Sequence, residues 1–109
     1  VGGSIGLLCA LLTKLEYPTR IVEFISFGCP NGCGKKTTEL INNTLDRCIQ
    51  FKHIYDFIPK LAFKLLFGSP GEIILLKNKV DESSWYIYHK LETYYECITF
   101  DNSDTNELF

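Results

Sequence analysis

At 109 residues the chain is at most one domain, and its 46% apolar and 14% aromatic content excludes a disordered segment while allowing a modest core. A formal charge of −2 with no dominant basic face excludes binding to nucleic acid through its phosphates. No apolar run reaches the roughly 18 residues of a membrane-crossing helix. The cysteines, Cys9, Cys29, Cys33, Cys48 and Cys97, are odd in number, which leans toward reduced thiols and a cytoplasmic setting without fixing the localisation.

Residues Gly2-Gly3-Ser4-Ile5-Gly6 form a G-x-S-x-G pentapeptide that runs into an apolar segment, Leu7 to Leu15. This is the sequence form of a nucleophile elbow, a serine held with strained dihedrals on a tight turn between a strand and a helix. Backbones approach closely at such a turn, so the residues flanking the serine must lack bulk. Leu7, Leu8, Leu11, Leu12 and Leu15 make a helical stripe, and Cys9 and Ala10 add small apolar groups, which predicts a largely buried helix ended by Pro18. The run LLCALL also has the length of a signal-peptide core, but no basic stretch precedes it.

Ile21 to Phe27 is β-branched and aromatic, a predicted strand stopped by Gly28-Cys29-Pro30-Asn31-Gly32. Lys36 to Asp46 suits a polar surface helix, and Cys48 to Ile54 a second strand. Asp56 follows directly. Leu61 to Phe67 is a short helix or a packed loop, and Gly68-Ser69-Pro70-Gly71 is a turn leading to a third strand, Glu72 to Leu76. Trp85 to Tyr88 reads as a fourth strand, with His89 opening a final helix and a polar tail over 101–109. The alternation of helix and strand implies crossover connections and an α/β fold with parallel strands, with the later pair free to turn antiparallel.

Ser4, Asp56 and His89 stand in the order nucleophile, acid, base that the elbow architecture requires. The histidine takes the serine proton, and the carboxylate fixes the imidazole tautomer and stabilises the imidazolium. The backbone N–H of Ile5, next after the nucleophile, supplies one oxyanion donor, and no cofactor or metal is needed. His53 precedes Asp56 and lies within a strand, so it breaks that order. Cys29 and Cys33 do not have the usual C-x₂-C spacing, and no second Cys/His pair follows, so buried free thiols are favoured over zinc. The alternative of a phosphate-binding module at Gly28 to Thr38 fails on spacing, because five residues separate Gly28 from Gly34 and Lys35 is followed by Lys36. An inactive hydrolase-like scaffold is the other alternative.

Several segments together resemble the class 3 lipase family, serine hydrolases of α/β-hydrolase fold acting on acylglycerols and related esters. VGGSIGLLCALL is similar to the family's elbow, ISFGCPNGCG to its strand-to-loop segment, HIYDFIPKL to its acid motif, GSPGEIILL to its h-P-G-e-E-i-w segment and HKLETYYECI to the H-x-x-x-x-Y segment. The resemblance implies a partial α/β-hydrolase domain over residues 1–100, a lipid or other ester substrate, and transient contact with a membrane or lipid-droplet surface. It also implies a piece of a longer enzyme, inactive by itself, since the sequence opens at the elbow. Gly3 stands where the family usually has His, and Leu7 where it often has a second small residue.

Overall fold

The structure is a computed structural model and describes residues 2–30, 33–60, 68–79 and 86–99. Three parallel strands form one sheet in the order β1-β2-β3, comprising β1 (Glu23–Phe27), β2 (Arg47–His53) and β3 (Glu72–Leu76). Helices α1 (Gly2–Glu16) and α2 (Lys35–Thr44) flank β1 in the chain, and α3 (Leu91–Thr99) closes the described part. Short 3₁₀ turns lie at Ile58–Lys60 and Ile87–His89. This is a small α/β unit with helices on both faces of its sheet.

The alternation of side chains along a strand sorts the faces. In β2, the central strand, Ile49 and Phe51 point to the same side as Ile74 and Leu76 of β3, where they bury Tyr94 and Cys97 of α3. Phe27 of β1 stacks on Phe51, its register partner, at 5.3 Å. The opposite face carries Phe24 and Cys48, packed with Leu7 and Leu11 of α1 and with Ile41 and Leu45 at the end of α2. Each fully buried Leu, Ile or Phe contributes about 1.5–3 kcal/mol relative to exposure. Gly6 lets α1 cross β1 closely, since a Cβ there would lie 3.3 Å from the Phe24 ring.

The third expected strand appears as β3 over Glu72–Leu76 and pairs parallel to β2, whereas the fourth does not appear among the described residues. Within the fourth expected strand, Tyr86 is a turn residue and Ile87–His89 is a 3₁₀ turn. One tight turn there buries Ile87, while Tyr88 packs on His53 with ring centroids 4.5 Å apart. Thr93 Oγ1 then donates to Ile87 O at 2.6 Å, tying the turn to α3. His89 therefore ends a 3₁₀ turn, and α3 begins two residues later at Leu91.

α1 also departs from expectation. Only Leu7 and Leu11 are buried, whereas Ile5, Leu8, Leu12 and Leu15 are exposed. One side of the helix meets β1 and α2, and no described residue covers the other. The expected element at 61–67, Trp85 of the fourth expected strand and the tail over 101–109 lie outside the described residues.

Candidate active site

Parallel strands joined by helices bring their carboxyl ends, and the amino end of the helix that precedes each strand, to one edge of the sheet. Asp56 comes to that edge three residues after β2. A tight turn carries it there, with its N–H donating to His53 O at 3.0 Å. The carboxylate is 1% exposed and fully employed. Oδ1 accepts from the Ile58 N–H at 3.1 Å, an Asx-type bond that opens the 3₁₀ turn over Ile58–Lys60. Oδ2 accepts from His89 Nδ1 at 2.9 Å and from the Tyr94 hydroxyl at 2.7 Å. A buried carboxylate needs such donors, because charge without partners is costly away from water.

His89 reaches Asp56 from the 3₁₀ turn, and 39% of its side chain stays exposed. Bonding Nδ1 to a carboxylate places the proton on Nδ1 and leaves the Nε2 lone pair directed away from Asp56. No described residue bonds Nε2. The ring thus has the arrangement of a general base, with one nitrogen anchored by an acid and the other available.

Tyr94 supports the pair from α3. Its hydroxyl donates to Asp56 and accepts the His53 backbone N–H at 3.1 Å, which joins α3, the end of β2 and the acid in one network. Burial, then the adjacent Asp56 carboxylate, pushes the phenol well above the ordinary tyrosine range, so Tyr94 stays a donor. Gly28, just after β1, closes the site from below. Its φ is +70°, and a Cβ there would lie 3.0 Å from Asp56 Oδ2, 3.1 Å from His89 Nδ1 and 3.2 Å from the Tyr94 hydroxyl. Only glycine gives the backbone both the left-handed conformation and that approach.

His53 has no such freedom. Its Nδ1 accepts the Tyr55 N–H at 3.1 Å, which places the proton on Nε2, and Nε2 donates to Asn78 O at 2.6 Å. The ring is buried and carries structure.

Ser4 is the third residue of α1 and is half-buried. The strained elbow is not present: among the described residues, positive φ occurs only at Gly28 and Gly71. An elbow's strain is imposed by a strand feeding into the turn, and here Gly2, Gly3 and Ser4 wind into the first turn of the helix. Ile5 follows as the fourth helical residue, in the first turn of α1. No hydrogen bond joins Ser4 to His89. The two are linked through one stretch of backbone: Gly3 packs against Cys29, with an ideal Cβ 2.9 Å from its Sγ, and the adjoining Gly28 packs against Asp56 and His89.

Asp56 and His89, expected from residue order, meet here, whereas Tyr94 and the left-handed Gly28 are partners that order does not announce. Tyr94 falls within the motif around His89, and its position there was the available signal. None of the five cysteines is in a disulfide, and Cys29, Cys33 and Cys97 are buried. Among the described residues no group of three or more His, Cys, Asp or Glu is arranged to hold a metal ion, and no helix is long and apolar enough to cross a membrane. The Gly28–Thr38 segment spends Gly28 on the acid–base pair, and Lys35 and Lys36 open α2 with exposed side chains. Compared with known protein families, characterised proteins and solved structures, the chain matches none.

Proposed function

We propose that this chain carries the catalytic residues of a serine hydrolase acting on carboxylic esters, of the kind the class 3 lipase resemblance implies. The observation that carries the reading is the Asp56–His89 pair, anchored at 2.9 Å with the distal imidazole nitrogen unpaired. Ser4 Oγ attacks the ester carbonyl carbon while His89 Nε2 accepts its proton. The tetrahedral intermediate collapses, the alcohol leaves with the proton from His89, and the acyl group stays on Ser4. Water, deprotonated by His89, then releases the carboxylic acid.

For this to occur, Ser4 on α1 and His89 on the 3₁₀ turn close up as substrate binds. Ser4 Oγ then meets Nε2 past the Gly28-Cys29 backbone, and the Ile5 N–H, in the same turn as Ser4, serves the oxyanion. The helical state of Ser4 favours a second reading, a hydrolase-like scaffold without activity. Fluorophosphonate labelling of the whole protein separates them. The hydrolase labels on Ser4 and loses labelling in both Ser4→Ala and His89→Ala. Labelling that survives Ser4→Ala rules out this nucleophile, and no labelling of the wild type favours the scaffold.

A further inference from the structure

The motifs leave the acyl preference open, because none of them says where a substrate chain would lie. A largely enclosed cavity of about 180 Å³ opens beside Ser4 on the α1/α2 face of the sheet. Leu7 and Leu8 of α1 form one wall, and Cys33 and Pro70 face them from the segments ahead of α2 and β3. Gln50 of β2 is at the back, 1% exposed, with its amide already used. Its Nε2 donates to Pro70 O at 2.7 Å, and its Oε1 accepts from Ser26 Oγ at 3.4 Å. Apart from Thr37 at the start of α2, the other side chains around the space are apolar or are Ser4 itself.

Resting on the reading of Ser4 as nucleophile, we propose that this cavity is the acyl subsite, and that it selects straight acyl chains of about six carbons or fewer. Ser4 is itself part of the wall, so an acyl carbon bonded to its Oγ starts its chain at the cavity mouth. The walls stabilise methylenes by taking them out of water, and the occupied Gln50 amide is not left stranded by an apolar guest. The size sets the limit, since an apolar cavity of about 150 Å³ accepts benzene, a guest of six carbons. A longer chain has to pass out between Leu8 and solvent, because Leu8 is half-exposed at the edge of the space.

The test is hydrolysis of p-nitrophenyl esters from acetate to dodecanoate by the whole protein, its Ser4→Ala variant as control, and two variants at Leu8. In the wild type kcat/KM rises about fourfold per methylene up to four to six carbons and then stops rising. Leu8→Trp narrows the cavity and moves the optimum toward acetate, with about a tenfold loss on hexanoate. Leu8→Ala widens it and moves the optimum two or more carbons longer. Leu8 is half-exposed, so both replacements leave the fold intact. Ester hydrolysis that depends on Ser4 but peaks at ten carbons or more, or whose optimum neither Leu8 variant moves, overturns the subsite and leaves the hydrolase reading standing. Absence of hydrolysis across the whole series overturns both.

Discussion

Gly28 stands so close to Asp56 that a methyl group on its Cα would lie 3.0 Å from the carboxylate Oδ2. The same methyl would crowd His89 Nδ1 and the Tyr94 hydroxyl, so the three groups that build the acid–base pair all rest on one bare stretch of backbone. Gly28→Ala also pays for a left-handed φ, at about 1–2 kcal/mol. The variant folds with reduced stability, and under the proposed ester hydrolysis its kcat falls about 10²-fold as Asp56 and His89 are displaced. Steady-state kinetics alongside thermal unfolding check this. Wild-type kcat in Gly28→Ala would show that the approach has no catalytic consequence.

Tyr94→Phe removes one donor from Asp56 and the hydroxyl that accepts the His53 N–H, which costs about 1–3 kcal/mol at neutral pH. The pH dependence has a definite sign. Burial and Asp56 raise the folded-state pKa of Tyr94 above its ordinary value of 10.0. The unfolded chain releases that proton above pH 10 while the folded chain keeps it, so this contribution is complete below pH 10 and is lost as pH rises beyond it. Tyr94→Phe therefore declines less steeply in alkali than the wild type. Denaturant unfolding at pH 8 and pH 10.5 measures both effects.

Gly71 holds a φ of +82°, and an ideal Cβ there would sit 2.3 Å from Cys48 O. Backbone cannot yield as a side-chain tip does, so Gly71→Ala costs about 2 kcal/mol or more. A domain of this size then loses roughly 10 °C in Tm. Calorimetry decides, and a Tm within two degrees of wild type would contradict the close approach.

Asp46 joins the start of β1 to α1. Its Oδ2 accepts the Val22 N–H at 2.7 Å and pairs with Lys14 Nζ at 2.9 Å. The Val22 hydrogen bond first, and Lys14 second, hold its carboxyl below the ordinary value of 3.8. A depressed folded-state pKa gives stability that is present above pH 3.8 and disappears as pH falls through the lower, folded value. Asp46→Asn flattens that acid limb in a circular-dichroism titration. An unchanged acid transition would mean the pair contributes nothing in solution.

The parallel arrangement was readable because β2 and β3 are short apolar runs bounded by turn residues and separated by enough chain for a crossover. Ser4 was readable as a motif but not as a conformation, since strain at an elbow comes from neighbouring strands and not from the pentapeptide. The end of the chain misled for a related reason. Tyr86, Ile87 and Tyr88 are residues of the aromatic and β-branched kind a strand favours, yet one 3₁₀ turn takes them, with Thr93 Oγ1 donating to Ile87 O. Tyr94 was invisible as a partner of Asp56 because the two are 38 residues apart and meet only through the packing of α3 on β2. The exposure of Leu8, Leu12 and Leu15 was likewise hidden, because a helical stripe gives a helix's apolar residues without saying which neighbours will cover them.

The acid–base pair and the serine approach the sheet edge from opposite faces, with the pair braced by α3 and the serine carried by α1. No bond of the Asp56–His89–Tyr94 network depends on the residue at position 4. The Asp56–His89 pair is therefore assembled independently of position 4, which under the proposed function makes base and nucleophile exchangeable parts. Under that function a thiol introduced by Ser4→Cys would face an unchanged imidazole, a route to thioester chemistry in which one half of the machinery is redesigned while the other is inherited whole.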